Sequence, residues 1–328
     1  MARWEAMHPD ETSALLDRAR AGDEDAFRDL TAPHRRELAA HCYRILGSVP
    51  DADDAVQETM LAAWKGLGGF AGRSSLRTWL YTIATRASLR LAEQRPPRML
   101  SWDAHPAGDP LGDLGGVDTE TAWLDPWIEP ADDPAELVEH RETISLAFLA
   151  ALQRLPPNQR AVLILRDVLG FSAVETAEQL GTSVASVTSA LQRARVTIGT
   201  GAPSPMERPP DDPDVRRTVD RFVAAFDAGD VTGIVELLTV DVRFTMPPLP
   251  AWFDGVDAVT AFFAHRSLVT PWRVRRRLRV NGCAAVLADR SIDGKWRPAA
   301  LMVFTVEGDG IRWIASFLDP RLLAAADR

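Results

Sequence analysis

The sequence predicts a multidomain protein in which two all-α units are followed by an α+β domain. Apolar residues recur at helical spacing over 11–95 and again over 135–198, whereas the chain beyond 214 changes to the two-residue period of strands. Segments rich in Pro, Gly and Asp separate these stretches. A chain of 328 residues is also longer than one hydrophobic core usually supports.

The changes in composition define five segments. We assign 11–95 to a first helical unit, 96–134 to an acidic linker, 135–200 to a second helical unit, 201–213 to a Pro-rich linker and 214–328 to the α+β domain. Helix at the start of the last segment and strands after it are typical of the α+β class.

Composition excludes several classes of protein. The hydrophobic fraction is 46% and the charged fraction 25%, as in average globular domains. No signal peptide or apolar run of membrane-spanning length is present, so we expect a cytoplasmic protein with no membrane association. The two cysteines, Cys42 and Cys283, lie in different predicted domains and indicate no disulfide framework. We expect no cofactor and no metal, although His34, His41 and Cys42 share a helical spacing that leaves a weak metal-site alternative.

The acidic net charge is local. The whole chain carries −9, and residues 96–141 alone carry eleven acids against two arginines. Residues 73–95 contain five arginines and one acid, a basic patch that the total charge conceals. Nucleic-acid binding is therefore compatible with the sequence. We further hypothesise that the acidic segment screens or mimics nucleic acid.

The first helical unit contains an acidic helix over residues 51–64. Its apolar face carries Val56, Met60 and Ala63. The polar face carries Asp53, Asp54, Gln57 and Glu58. On composition alone this face is an ordinary solvated surface.

A basic and aromatic helix follows, over residues 76–90, with Ser75 as its predicted N-cap. Leu80, Ala84 and Ala87 belong to its core stripe, and Trp79 is either part of that core or a platform for an unpaired base. The arginines outside the stripe are Arg73, Arg77, Arg86 and Arg90.

The pairing of these two motifs, Asp-Ala-Asp-Asp-Ala-Val-Gln-Glu-Thr and Ser-Ser-Leu-Arg-Thr-Trp-Leu-Tyr-Thr-Ile-Ala, resembles region 2 of the sigma-70 superfamily in its extracytoplasmic-function (ECF) branch. The resemblance implies that the acidic face binds the clamp of the largest RNA polymerase subunit. It also implies that the basic helix and its loop melt and read the minus-ten promoter element as a single strand. The residues implied in that reading are Arg73, Arg77, Trp79, Arg86 and Arg90. Arg86 stands where the family often has asparagine.

The second helical unit has the pattern of a helix-turn-helix. A short helix over 172–180 is followed by a turn at Gly181 and a helix over 183–195, whose inward positions are apolar or small. Its exposed positions are Ser183, Ser186, Ser189, Gln192, Arg193 and Arg195. The Leu-Gln-Arg-Ala-Arg ending resembles sigma region 4, which implies binding to the minus-thirty-five element and to the polymerase flap. Thr188 and Ala190 replace basic residues of many relatives, so we expect weak DNA binding by this unit alone.

The C-terminal domain resembles the SnoaL-like branch of cone-shaped α+β barrels, through its Phe-x-Met-Pro-Pro and Phe-Phe segments. Some such barrels are enzymes, and the available acid–base groups are Asp241, Asp254, His265, Asp289 and Asp319. None has a spacing that requires catalysis, so we predict structural roles and no catalytic residues. The arginines of 273–279 alternate along one strand and predict a solvated or partner-contacting face.

Together these features predict a sigma factor that binds core RNA polymerase and promoter DNA, is not an enzyme, and carries a fused C-terminal regulator with a small-molecule ligand in its barrel. Two alternatives remain: a two-domain enzyme with a helical docking module, and a DNA-binding regulator that acts without polymerase.

Overall fold

The computed structural model describes residues 9–72, 74–129, 144–199 and 208–328. These residues form two compact units that are interleaved along the chain. The first holds the described residues up to 97 and those of 151–199. The second holds 98–129, 144–150 and 208–328. Among the described residues, no helix has the length and apolar character needed to cross a bilayer.

Ten helices precede the C-terminal domain in the described part of the chain. The first six are α1 (Pro9–Arg20), α2 (Glu24–Thr31), α3 (Arg35–Leu46), α4 (Val49–Gly66), α5 (Leu76–Gln94) and the short α6 (Ser101–Ala104). The next four are α7 (Leu146–Gln153), α8 (Pro157–Leu163), α9 (Ala173–Leu180) and α10 (Val184–Ile198). Helices α3, α4 and α5 pack together, and α5 also packs against α8 and α9. The two predicted helical units therefore share one compact unit.

Serine caps begin the helices that carry the candidate sites. Ser48, Ser75, Ser172 and Ser183 each accept a hydrogen bond from the backbone N–H three residues later. Such caps satisfy donors that have no partner in the first helical turn. The turn between α9 and α10 has Gly181 at φ 64°, a left-handed conformation that favours glycine.

The second unit contains a six-stranded sheet. Its helices are α11 (Pro213–Ala228), α12 (Val231–Val235), α13 (Val256–Phe262) and α14 (Pro320–Ala326). Its strands are β1 (Leu238–Thr245), β2 (Trp252–Asp254), β3 (Trp272–Val280), β4 (Cys283–Ile292), β5 (Lys295–Glu307) and β6 (Gly310–Phe317). The strand order is β2-β1-β6-β5-β4-β3, with β1 and β6 parallel and the other pairs antiparallel.

An aromatic core fills the space between this sheet and its helices. The rings of Phe222 and Phe304 lie 4.8 Å apart, and those of Phe244 and Phe262 lie 5.0 Å apart. Helix α11 packs on β3, β4 and β5, and α13 packs on β1 and β2. The predicted multidomain architecture, helical units followed by a curved α+β domain, is confirmed.

The described part of the acidic segment is attached to the sheet domain. We call residues 98–129 the strap. The ring of Trp102 lies 4.8 Å from that of Trp313, and residue Ile128 forms a β-bridge with Val280. An acid of the strap has partners within the strap itself: Asp118 accepts a hydrogen bond from the Thr121 hydroxyl and pairs with His105, 3.0 Å away.

The arginines of strand β3 have acidic partners within the second unit. Arg273 and Arg275 both bind the buried carboxylate of Asp289, at 2.9 and 2.8 Å. Arg277 pairs with Asp220 at 2.5 Å, and Arg279 lies 3.4 Å from the buried Glu129. Three of these arginines are exposed, so the predicted solvated face is confirmed, and acids from neighbouring elements neutralise the row.

Candidate nucleic-acid interface

Helix α4 presents the acidic face that the sequence predicts. Asp53, Asp54, Gln57 and Glu58 are all exposed, while Ala52, Ala55, Val56 and Thr59 are buried. Partial burial, together with the adjacent charge of Asp54, raises the pKa of Asp53. A face with concentrated negative charge suits a basic partner surface.

Three ion pairs connect helix α4 to α5 and its C-cap residue. Arg90 lies 3.2 Å from Glu58, and Arg95 binds both Asp54, at 3.3 Å, and the buried Asp51. The structure thus brings one predicted polymerase-binding residue, Glu58, beside one predicted minus-ten residue, Arg90. Their charges neutralise each other within the free protein.

The start of α5 is anchored to α3. The Arg77 guanidinium donates to Glu37 at 2.6 Å and lies over the ring of Tyr81, 4.7 Å from its centre. Burial opposes ionisation of Glu37, but hydrogen bonding from His34 and the charge of Arg77 outweigh it and lower its pKa. The Arg77 side chain is consequently held in place by contacts within the first unit.

Trp79 is half-buried and packs beside Phe70, with ring centres 5.0 Å apart. It belongs to a small cluster with Ala19, Ala26 and Leu67, so most of its ring supports the helix. Arg73 lies outside the described residues.

Arg86 is exposed and contacts the helix-turn-helix. Its Nε donates to the carbonyl oxygen of Gln179 at 3.0 Å, in the last turn of α9. A helix C-terminus carries partial negative charge and favours such a cation. The ring of Tyr81 lies 6.0 Å from that of Phe171 in the same contact. A predicted minus-ten residue is therefore bound by the predicted minus-thirty-five unit.

Helix α10 and its N-cap residue expose all six predicted DNA-contacting residues, and the helix buries Val187, Ala190 and Ala194. Ser183 and Ser186 share a hydroxyl hydrogen bond of 2.9 Å at the cap, which fixes their orientation. Arg195 forms a two-bond pair with Asp167, at 3.0 and 2.7 Å, and this hydrogen bonding raises the pKa of Arg195. Gln192 and Arg193 are exposed on the same helix.

Sequence reasoning missed two residues in this unit. Arg160 is buried at the start of α8 and donates to the carbonyl oxygens of Leu152 and Leu155, at 2.9 and 3.0 Å, and to that of Ile45. It therefore joins the second helical unit to α3. Val184 is 43% exposed beside Ser183, where an apolar group can contact a thymine methyl.

The residues of the metal alternative serve packing. His41 is buried with its Nε2 2.8 Å from the Thr85 hydroxyl, and burial raises the pKa of the Cys42 thiol to about 12. His34 is paired with Glu37 at 2.6 Å.

Comparison with known proteins agrees with this architecture. Residues 30–95 match the Sigma-70 region 2 family model, residues 145–198 match that of Sigma-70, region 4, and residues 219–313 match the SnoaL-like domain. The ECF RNA polymerase sigma factor SigG of Mycobacterium tuberculosis (strain H37Rv) is 43% identical over 312 residues, which cover 92% of this chain and 83% of SigG. The chain belongs to the ECF sigma factors.

Two further similarities support the assignment of this ECF sigma factor. SigJ of the same strain is 32% identical over 211 residues, covering 64% of this chain and 62% of SigJ. The crystal structure of M. tuberculosis SigJ superposes with a TM-score of 0.61 at 25% identity, over 88% of this chain and 96% of that one. As an ECF sigma factor, the protein binds core RNA polymerase and directs promoter recognition, with the SnoaL-like domain as a C-terminal extension.

The SnoaL-like domain of this sigma factor contains a cavity of 410 Å³. Its wall is mainly apolar and aromatic, with Ser267, Ser316, Arg266 and Arg290 as its polar members. None of the five acid–base candidates belongs to the described residues that line it.

Those candidates have structural partners or surface positions instead. Asp241 pairs with Arg312 at 3.4 Å and Asp254 with Arg243 at 3.3 Å. Asp319 caps α14. Asp289 holds the two arginines of β3 described above, and His265 is exposed.

Proposed function

We propose that the sigma factor uses the acidic face of α4 to bind the clamp of the largest polymerase subunit, and the basic face of α5 to bind the minus-ten element. The acidic set comprises Asp53, Asp54, Gln57 and Glu58. The minus-ten set comprises Arg73, Arg77, Trp79, Arg86 and Arg90. The minus-thirty-five set comprises Ser183, Ser186, Ser189, Gln192, Arg193 and Arg195, and the same unit contacts the polymerase flap.

The described structure corresponds to a closed state of the first unit in this proposal. Arg86 is hydrogen-bonded to Gln179, Arg90 to Glu58 and Arg195 to Asp167. Promoter phosphates and bases compete with these internal acceptors for the same guanidinium groups. The 3.0 Å contact between Arg86 and Gln179 is the observation that carries the closed-state assignment.

Promoter binding requires this contact to open. The names of the two elements place them about 25 base pairs apart, roughly 85 Å of B-DNA at about 3.4 Å per base pair. Residues joined by one hydrogen bond cannot reach both elements. Binding to core polymerase is the step that separates α5 from α9, because the polymerase surfaces hold regions 2 and 4 independently.

The SnoaL-like domain acts in this proposal as a fused regulator that binds a small molecule without transforming it. The cavity has the size of a ligand site, about 300–1,000 Å³. The described wall of the cavity contains no Asp, Glu or His that could serve as a general acid or base. The whole protein acts in the cytoplasm with core polymerase and promoter DNA.

Polymerase binding is tested with Asp53→Lys, since Asp53 is exposed on α4. Asp29→Lys on α2 is the matched control, because Asp29 is an exposed acid in the same unit. We expect Asp53→Lys to weaken binding to core polymerase at least tenfold, measured by fluorescence anisotropy, while Asp29→Lys binds normally. Equal affinities of the two variants contradict the assignment of this face.

Opening is tested by resonance energy transfer between dyes at Asp29→Cys and Glu178→Cys, two exposed positions on α2 and α9. Cys42 and Cys283 are buried, so the dyes attach selectively. We expect a compact distance in the free protein and a distance longer by tens of ångströms in the polymerase–promoter complex. An unchanged distance in that complex refutes the closed-state assignment.

A further inference from the structure

The strap is attached to the SnoaL-like domain along its whole described length. Gly108 N–H donates to the Trp252 carbonyl oxygen at 2.8 Å, and Asp118 N–H donates to the Pro248 carbonyl oxygen at 2.9 Å. At the end of the strap, Glu129 N–H donates to the Arg279 carbonyl oxygen at 2.9 Å. These are backbone contacts to three different places on the domain, so the strap has a defined docked conformation.

The docked strap also forms a closed loop, because residue 99 is hydrogen-bonded to residues 122 and 124. Met99 N–H donates to Ala122 O at 2.8 Å, and Leu124 N–H donates to Met99 O at 3.1 Å. Residues 100–121 therefore add no length between the ends of the strap. Released and extended, about 22 residues supply roughly 70 Å at about 3.3 Å per residue. The strap is part of the segment that joins regions 2 and 4 in the chain, so its release adds reach between them.

One strap residue forms part of the cavity wall. Leu114 lines the 410 Å³ cavity together with residues of α13 and the sheet, and it packs against the aromatic core. Arg266, which also lines the cavity, donates to the carbonyl oxygen of Leu111 at 2.9 Å and to that of Gly112. The cavity and the strap thus share both an apolar and a polar contact.

The cavity favours one class of ligand. Arg266 and Arg290 are its only charged members among the described lining residues, and no carboxylate of that wall neutralises them. Arg290 Nε donates to the Thr270 hydroxyl at 2.8 Å, a neutral partner that leaves its charge uncompensated there. The rest of the wall is apolar or aromatic apart from two serines. An apolar chain with one negative head group matches this arrangement.

We propose that the cavity binds a hydrophobic carboxylate, and that the bound ligand holds the strap in its docked conformation. The ligand's carboxylate lies beside Arg266 and Arg290, and its apolar chain contacts Leu114. This inference rests on the proposed regulatory function of the domain. It adds the chemical class of the ligand and identifies the strap as the segment whose docking the ligand controls.

The direction of the effect follows from linkage. The contact between ligand and Leu114 exists only while the strap is docked, so the ligand binds the docked state more tightly than the released state. The ligand therefore shifts the protein toward docking, and docking raises ligand affinity by the same factor. A saturated cavity keeps the reach between regions 2 and 4 short and lowers promoter binding.

Decanoate and decanol are suitable probes, because both carry the same apolar chain and only decanoate carries a negative charge. Binding to the full chain is measured by calorimetry, and strap docking by hydrogen–deuterium exchange at the amides of Gly108 and Asp118. We expect decanoate to bind at least tenfold more tightly than decanol and to slow exchange at both amides severalfold or more. Equal binding of the two probes, or no binding of decanoate, overturns the proposed ligand class.

Two glycine variants test the coupling. A Cβ on Gly115 would lie 2.7 Å from Pro250 Cγ, and its φ is 74°, so Gly115→Ala displaces the strap beside Leu114. Gly116→Ala is the matched control, because a Cβ there meets nothing within 4 Å. We expect Gly115→Ala to exchange faster at Asp118 and to lose decanoate affinity severalfold, while Gly116→Ala behaves as the native protein. Arg290→Met, which keeps an apolar stem, abolishes the decanoate effect even if Gly115→Ala does not fold.

Decanoate binding with unchanged strap exchange overturns the coupling. Run-off transcription by the full chain with core polymerase then separates this inference from the function on which it rests. If decanoate binds and protects the strap but transcription is unaffected, the ligand site and coupling stand while the regulatory function fails.

Discussion

The buried histidine of region 2 makes the stability of this protein depend on pH. Thr85 Oγ donates to the Tyr81 carbonyl oxygen at 2.7 Å, so its proton is committed, and His41 Nε2 must donate to Thr85. The remaining nitrogen, Nδ1, is then unprotonated and buried without a hydrogen-bond partner. Protonation would place a positive charge in this buried site, near two arginines. Burial, with the charges of Arg44 and Arg77, lowers the pKa of His41 to about 3.

The sign and size of the effect follow from linkage. Unfolded His41 titrates near 6.5, so above that value both states are neutral and the residue contributes nothing. As the pH falls below 6.5, only the unfolded state takes up the proton, and the folded state loses stability at up to about 1.4 kcal/mol per pH unit. Between pH 7 and pH 5 the loss amounts to about 2 kcal/mol.

The measurement is urea unfolding of the full chain followed by the helical circular dichroism signal, at pH 7, 6 and 5, for the native protein and His41→Gln. Glutamine keeps a donor for Thr85 and does not titrate. We expect the variant to be less stable at pH 7, because its packing differs, and to lose about 2 kcal/mol less between pH 7 and 5. The same pH slope in both proteins refutes the assignment of a buried neutral imidazole.

Three other substitutions test the remaining structural assignments. Arg160→Met leaves several buried carbonyl oxygens without a donor and should lower the free energy of unfolding in urea by about 3 kcal/mol. The exposed control Arg35→Met should change it by no more than about 0.5 kcal/mol, and equal effects of the two variants contradict the role of Arg160. Asp289→Asn removes the buried charge between two arginines and should lower the free energy of unfolding of the second unit by about 2 kcal/mol, measured by tryptophan fluorescence. An unfolding midpoint equal to that of the native protein indicates that these ion pairs do not stabilise the domain. Ser183→Asp keeps a good N-cap but adds a negative charge, so unfolding should be nearly unchanged while minus-thirty-five binding falls tenfold or more; normal DNA binding would exclude Ser183 from the interface.

Local patterns predicted the elements well where one face is buried and the other is solvated. The alternation from Trp272 to Val280 defines β3 with the bounds that the structure has. Ser75, the predicted N-cap of α5, is its N-cap in the structure. Strand β2 has only three residues, too few for a period to appear, and α14 is a short terminal helix that the same reasoning missed.

Features that depend on distant partners could not be predicted. An arginine in an amphipathic helix is usually exposed, so nothing local indicates that Arg160 is buried among carbonyl oxygens. The basic strand β3 looks like a surface for an acidic partner, but its acids come from α11, β4 and the strap. The candidate sites show the same limit. Their exposure could be predicted, whereas the pairing of Arg86 with Gln179 requires the tertiary fold.

The interleaving of the two units has a consequence for the order of synthesis. Region 2 is complete once residue 97 has left the ribosome, but the surfaces that hold Trp102, Gly108 and Asp118 belong to residues 248–313. About 130 to 210 further residues separate the strap from these partners, which at about 5–20 residues per second means roughly 6 to 42 s of translation. During that interval a nascent chain can fold its region 2 helices before its strap has anywhere to dock. A newly made molecule therefore meets polymerase under different constraints from one that has finished folding.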